Sequence, residues 1–356
     1  MSVNRSNNKI IEKRFADSQN ALVLQQSDLS LQSISDMVAS GSIDISPKYQ
    51  RRERWRDDKE SGLIESFLLN IPVPPIYLAE DEYGTYSVID GKQRVTAISK
   101  FLNGKLKLKE LDKFTELEGY TFADLPVALS NALKIRPYLR VVTLLRQSDP
   151  DLKHEVFLRL NKAGVPLNSQ EIRNVAFRGK FNDMLIDLSQ SPYIVSQLNV
   201  TSSSNIYREM IDVQYVLRYF TVKEYWNNFP GNMDIAMDNF MFANYKNIGG
   251  KLQSQRQSYL ESIEFCETVW GEEGFLRPEG SKRVLQGFYD IQMVCPSLLT
   301  SSERQNALKK PKKIRTQLLN LLAQDAVFYE SVTQFTSNSK NMKYRIETFI
   351  NVLKSI

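Results

Sequence analysis

The stretch TYSVIDGKQRVTAISKFLNGK, residues 85–105, changes its hydrophobic period in the middle. As far as Ile89 it is a β-rich run. From Val95 onward, Val95, Ile98, Phe101 and Leu102 recur at helical spacing until Asn103-Gly104 ends them. Between the two periods stands Asp90-Gly91, followed at once by Lys92, Gln93 and Arg94. A strand that ends in Asp-Gly and feeds directly into a helix makes an anion cradle. The first turn of a helix has N–H groups without intrahelical partners and carries the positive end of the macrodipole. A glycine at the junction lets a phosphate oxygen approach the backbone. Lys92 and Arg94 add a mobile and a forked cation, and Asp90 is placed to hold a divalent metal such as Mg²⁺ or a polarised water. The same residues also suit a tight strand–helix junction with a solvated lysine and an arginine that covers the core.

Outward from this junction, PIYLAE (75–80) and TYSVI (85–89) are predicted to pair as a hairpin across an acidic, glycine-containing turn. Upstream, Leu31, Ile34, Met37 and Val38 predict a short amphipathic helix with Ser30 as N-cap and Gly41 past its end. IDI (43–45) reads as a strand. YQRRERW (49–55) follows, then a helix capped by Asp57 or Asp58 whose apolar face is Leu63, Ile64, Phe67 and Leu68. Downstream come a short strand at 106–108, a helix near 127–134, and YLRVVTLL (138–145), an apolar run of the buried-strand type. From Pro150 the patterns are helical almost throughout. The expected fold class is α+β, with residues 1–28 an N-terminal extension, 29–148 an α/β domain holding the junction, and 149–356 a helical domain.

With 356 residues, 42% hydrophobic and 24% charged, the chain can bury more than one core. Gly and Pro total 28 residues, below average usage, which disfavours a turn-rich all-β architecture. No stretch reaches the ~18 consecutive apolar residues of a membrane span. The start, MSVNRSNNKIIEKR, has no apolar signal core, so a soluble, cytoplasmic protein without a membrane partner is expected. Cys266 and Cys295 are too few for a disulfide framework or a four-thiolate zinc site. His154 is the single histidine, which argues against a self-contained HNH nuclease, a zincin or a His-dependent triad. The net charge of +5 is concentrated: residues 301–356 hold ten basic and four acidic side chains. There Lys309, Lys310, Lys312, Lys313 and Arg315 surround Pro311 at a predicted helix start, either a solvated helix end or a contact for the DNA backbone.

Gly91, Arg94 and Ala97 resemble the GxxRxxA box of the ParB/sulfiredoxin-like fold. More closely, IDGKQRVTAI is similar to the DGQQR motif of the N-terminal domain of GmrSD-type modified-DNA restriction systems. The similarity continues in YQRRERW (family YQRxxxW), in PVPPIYL, in FLRLNKAGVPLNSQEIRN (family FxRLNxxGxxLxxxEIxN) and in REMIDVQYVLRYF (family R-x(3)-D-x(4)-LR). It covers roughly residues 29–220. Lys92 stands where the family has the first Gln of DGQQR. Neither Lys92 nor Gln93 is the cysteine of the sulfiredoxin branch, which excludes reductase chemistry.

The resemblance implies a domain that binds and hydrolyses a nucleoside triphosphate with Mg²⁺. It further implies a sensor of modified or foreign DNA that licenses a separate nuclease or effector protein. Asp90, Gln93 and Arg94 are then the candidate catalytic residues and Asp90 the metal ligand. Gln50, Arg51, Gly91, Lys92, Arg94 and Asn161 are the candidate nucleotide contacts. Taken locally, the arginines of YQRRERW around Tyr49 and Trp55 suit phosphate contacts and base stacking, and equally an Arg-rich loop neutralised by Glu53, Asp57 and Asp58. Arg159, Asn161 and Glu171 suit either a pocket or helix capping. A non-hydrolytic ParB-like adaptor or clamp is the second reading, homo-oligomerisation is left open, and a carboxylate-only nuclease ranks last because Asp90 has no acidic cluster around it.

Overall fold

The computed structural model describes residues 2–45, 55–160, 168–202, 204–277 and 283–356. The chain divides into two compact units, Met1–Leu167 and Asn168–Ile356.

The first unit is built on a five-stranded mixed sheet of order β1-β5-β3-β4-β2. The strands are β1 Leu24–Ser30, β2 Ile43–Asp44, β3 Ile76–Glu82, β4 Thr85–Asp90 and β5 Tyr138–Leu144. β1 and β3 flank β5, antiparallel and parallel to it respectively; β4 runs antiparallel to β3 and parallel to β2. The helices of this unit are α1 Ser2–Ala21, α2 Leu31–Ala39, α3 Asp57–Leu68, α4 Lys92–Leu102, α5 Val127–Ile135 and α6 Pro150–Leu160. Its core joins Ile34, Ile64, Ile76, Val88, Ile98 and Phe101, each almost fully buried. Burying one such side chain contributes ~1.5–3 kcal/mol, which is why the helical stripe of α4 lies on the sheet.

Polar groups fix α3 and the loop after α4. The buried carboxylate of Glu60 accepts two bonds from Lys100 Nζ, at 2.7 and 2.9 Å, tying α3 to α4. Glu65 is buried too and accepts the backbone N–H groups of Asp112, Lys113 and Phe114 at 2.7–3.2 Å. Burial by itself would raise the Glu65 carboxyl, but the three donors outweigh it and hold it below the ordinary range.

Several expectations need correcting. Arg56, not Asp57 or Asp58, is the N-cap of α3, and it makes no side-chain cap bond. The two aspartates sit in the first turn, where they suit the helix dipole. Residues 106–108 form no strand: Leu106 and Leu108 are buried, but Leu108 exchanges its backbone bonds with Gly119 and Tyr120 in a loop. The expected extension 1–28 contains α1 and most of β1. The polar sequence of β1, LQQSDLS, carries no strand signal, and pairing with β5 makes it one. The division falls at 167/168 rather than 148/149. The segment leading into α6 is tied to the chain between α1 and β1, with Asp149 N–H on Ala21 O at 2.8 Å and Ser148 Oγ bonded to Val23.

The second unit is helical: α7 Ser169–Ala176, α8 Lys180–Ser189, α9 Pro192–Gln197, α10 Asn205–Arg208, α11 Ile211–Tyr225 and α12 Met233–Asn244. It continues with α13 Gly249–Trp270, α14 Gln286–Tyr289, α15 Ser301–Leu308, α16 Pro311–Gln324, α17 Ala326–Thr333 and α18 Ser339–Lys354. A π-helical turn, Asp290–Val294, follows α14. Asp290 lies at its start, fully buried between two arginines. Arg218 of α11 reaches both carboxylate oxygens at 2.7 Å, and Arg345 of α18 reaches Oδ2 at 2.5 Å. Among the described residues no helix is long and apolar enough to cross a membrane.

Candidate nucleotide site at the turn Asp90 to Arg94

β4 delivers Asp90 opposite Tyr77 of β3, beyond a register shift between Tyr77 and Leu78. Gly91 then turns the chain with φ +93°, a left-handed conformation that glycine adopts without steric cost, and serves as the N-cap of α4. A side chain here would also displace the arginine: a Cβ on Gly91 would lie 2.9 Å from Arg94 Nη2, so that the guanidinium would have to shift, and 3.1 Å from Ile76 Cγ1. The glycine is needed both for the turn and because the Arg94 guanidinium folds back over it.

Arg94 Nη2 donates to Asp90 Oδ2 at 2.5 Å and to the Pro75 carbonyl at 3.1 Å. The Arg94 side chain is 14% exposed, and that of Asp90 42%. Among the described residues, Nε of Arg94 is buried with no partner, Nη1 carries no hydrogen bond, and Asp90 Oδ1 accepts none. The turn therefore holds its arginine in place while leaving donors and one carboxylate oxygen unspent. Above them stand the N–H groups of the first turn of α4, which helix geometry leaves without intrahelical acceptors. Gln93 is engaged elsewhere, for its Oε1 accepts the backbone N–H of Trp55 at 3.1 Å. That bond ties the end of YQRRERW to the DGKQR turn, so two motifs 38 residues apart meet through one carboxamide. Sequence reasoning missed this tie and the Pro75 carbonyl; the proline run before β3 was the only available signal for the latter.

Gln50 and Arg51, with Tyr49, Arg52 and Arg54, lie outside the described residues, as does Asn161. Glu171, grouped with Asn161 in the sequence, acts as a capping residue in the structure. Its Oε2 accepts Asn168 N–H while Asn168 Oδ1 accepts Gln170 and Glu171 N–H, a reciprocal box at the start of α7. Arg159 pairs with Glu155 one turn away on α6. In REMIDVQYVLRYF, Asp212 accepts from Ser189 Oγ and Gln190 Nε2, and Arg218 is taken up by Asp290. That pattern builds the helical core.

Lys309, Lys310, Lys312, Lys313 and Arg315 are all exposed where α15 gives way to α16. Lys310 Nζ donates to the Ile356 carbonyl. Cations in the first turn of a helix oppose its dipole, at ~0.3–1 kcal/mol each. Lys312 and Lys313 fall in that first turn of α16, whereas Lys309 is the C-cap of α15, where a cation suits the dipole.

Among the described residues no three His, Cys, Asp or Glu side chains gather as a metal cluster. The donor set at the turn is a single half-exposed carboxylate. That fits Mg²⁺, which takes one or two protein carboxylates and completes its shell with water and substrate phosphates.

No curated protein and no solved structure matches this chain. A family model does match, that of the GmrSD restriction endonuclease, N-terminal domain, over residues 34–178. The matched segment contains β4, the Asp90–Arg94 turn, α4 and the Trp55 tie, and runs past the unit boundary to the end of α7. Over residues 34–178, less than half of its length, the chain is thus similar to the N-terminal domain of the GmrSD restriction endonuclease.

Proposed function

We propose that the turn Asp90 to Arg94 binds a nucleoside triphosphate with Mg²⁺ and hydrolyses it. In this reading the protein is the sensor of a restriction-type defence against modified or foreign DNA, its first unit a ParB/sulfiredoxin-like domain, and a separate effector cuts. The observation that carries it is the unspent Nη1 and Nε of Arg94 beside Gly91, at the start of a helix and next to the open Oδ1 of Asp90. Nη1 and the α4 N–H groups orient the phosphates, with Lys92 adding charge from the neighbouring position. Asp90 Oδ1 holds the cation, which when bound neutralises phosphate charge and lowers the pKa of a coordinated water. Gln93 holds the Trp55 segment against the turn. The exposed cations Lys309 to Arg315 contact the DNA backbone without reading sequence.

One observation favours the non-hydrolytic adaptor. Gln93 Oε1 already accepts from Trp55, and the other glutamine position of the motif holds Lys92, so the turn offers no second carboxamide to orient a water. The discriminating experiment is NTP turnover with Mg²⁺, with and without DNA, in the wild type and Asp90→Asn. Hydrolysis in the wild type with at least a tenfold loss in Asp90→Asn, nucleotide still binding, is the expected result. Equal rates reduce Asp90 to a turn residue. Binding without turnover in both proteins selects the adaptor.

A further inference from the structure

α16, PKKIRTQLLNLLAQ, is a 14-residue helix without an acidic side chain. One stripe docks it: Ile314 and Leu318 are buried, and Leu321 and Leu322 half-buried. On the opposite face Lys312, Lys313, Thr316, Leu319, Asn320 and Ala323 recur at helical spacing, and all six are exposed along ~17 Å of helix. Between Glu303 and Asp325 the sequence has six basic residues and no acidic one. The two flanking acids are engaged, Glu303 in the capping box of α15 with Thr300, and Asp325 as N-cap of α17 and acceptor of the Tyr344 hydroxyl at 2.7 Å. Among the described residues no carboxylate pairs with Lys309, Lys312, Lys313 or Arg315, and the Asn320 carboxamide has no partner. Leu319 is the one large apolar side chain on this face, too little to seat another protein, whose contact centre needs aromatic or aliphatic anchors. Unpaired cations beside short polar side chains match an anionic groove instead.

We propose that α16 lies in the major groove of double-stranded DNA and reads base edges there, with Asn320 on an adenine. This rests on the DNA reading of the cluster at 309–315 and extends it, because cations alone position a duplex without choosing its sequence. The major groove, ~12 Å wide, admits an α-helix, and an exposed face of ~17 Å spans about five base pairs. Lys312 and Lys313 stand at the N-terminal end of α16, where the free N–H groups of the first turn add to their pull on the phosphates at the groove wall. One turn further on, Thr316 spends its hydroxyl on the Lys312 carbonyl at 3.0 Å and offers its methyl group. Asn320 follows on the same ridge. Its amide donates to adenine N7 and its oxygen accepts from adenine N6, a bidentate fit. Leu319 and Ala323 border it and, with Thr316, supply apolar contacts for the methyl groups of neighbouring thymines. The preferred site therefore contains A·T pairs. Double-stranded RNA does not substitute, since its major groove is too deep and narrow for side chains to read.

The test is selection of randomised short duplexes by the full chain, followed by fluorescence anisotropy with the enriched duplex, its scrambled version and the same sequence as double-stranded RNA. Circular dichroism checks that each variant folds, all substitutions being at exposed positions. The enriched duplex should bind at least about tenfold more tightly than either control. Asn320→Ala should lower that preference about ten- to hundred-fold, the worth of one bidentate base contact. Replacing the contacted adenine by 7-deaza-adenine, which lacks the major-groove acceptor, should weaken the wild type in the same way and change Asn320→Ala no further. Equal affinity for the enriched and scrambled duplexes, equal affinity for the RNA, or a preference that survives Asn320→Ala would overturn the reading by α16 and leave the backbone contact of the cations standing. Duplex binding indifferent to Lys312→Glu with Lys313→Glu would instead remove the DNA contact of the cluster, and this proposal with it.

Discussion

At Asp90 one carboxylate oxygen takes a bond from Arg94 and the side chain stays 42% exposed; at Asp290 both oxygens are taken by Arg218 and Arg345, and all three side chains are out of water. The chemistry of the two pairs is the same and their surroundings differ. A buried pair is expensive to desolvate and repays that cost only when every lone pair is matched, so it locks helices together and does nothing else. A half-exposed pair at the start of a helix is cheap to form and can exchange partners, which a ligand site requires. Both sequence patterns, DGKQR and R-x(3)-D-x(4)-LR, resemble the same family, and both arginines Arg94 and Arg345 keep a buried Nε without a partner; what separates the two pairs is the carboxylate, half-exposed with one oxygen open at Asp90, buried with both oxygens taken at Asp290.

The largest effect should come from breaking the saturated pair. Asp290→Asn leaves two buried guanidinium groups facing a neutral amide and should cost about 3–5 kcal/mol, read as an earlier urea transition of the helical unit. Asp90→Asn, in a solvated site, should cost less than about 1 kcal/mol in the same experiment. If the two substitutions cost the same, the distinction between scaffold and site fails.

A second probe uses Glu65, a carboxylate satisfied by backbone alone. Because its pKa is depressed in the folded state, the stability it contributes is fully present above its usual value near 4.5 and is lost as pH falls through and below that value. Glu65→Gln should lose about 1–3 kcal/mol at pH 7 and show a flatter loss of stability in acid than the wild type. An unchanged acid profile would mean that the loop at 112–114 is held by something else.

The smallest effect on stability, with the opposite sign, belongs to the basic cluster. Lys312→Glu and Lys313→Glu place acids where the dipole of α16 favours them and should raise stability by ~0.3–1 kcal/mol each. They should also weaken DNA binding and lower the slope of its logarithm against salt by ~1 for each phosphate that is no longer neutralised. Stabilised variants that bind DNA as before would confine the cluster to a solvated helix end.

The elements nearest the turn were legible because their hydrophobic periods are unambiguous. Ser30 caps α2 as read, accepting Ser33 N–H, and β3, β4, α4 and β5 stand where the pattern set them. β1 was illegible, since Gln25, Gln26 and Ser27 become a strand only by pairing with β5. At the site, Asp90, Gly91 and Arg94 could be picked from the strand–glycine–helix grammar. The inward fold of Arg94 onto Pro75 and the use of Gln93 on Trp55 could not, because both depend on backbone atoms that no residue pattern encodes.

The claim that the unspent half of the Asp90–Arg94 pair is a phosphate site is tested most directly by calorimetric titration of a nucleoside triphosphate with Mg²⁺ into the wild type and Arg94→Ala. Loss of one charge-assisted hydrogen bond predicts a ten- to hundred-fold weaker Kd in the variant, ~1.5–3 kcal/mol. Equal affinity in the two proteins would contradict it.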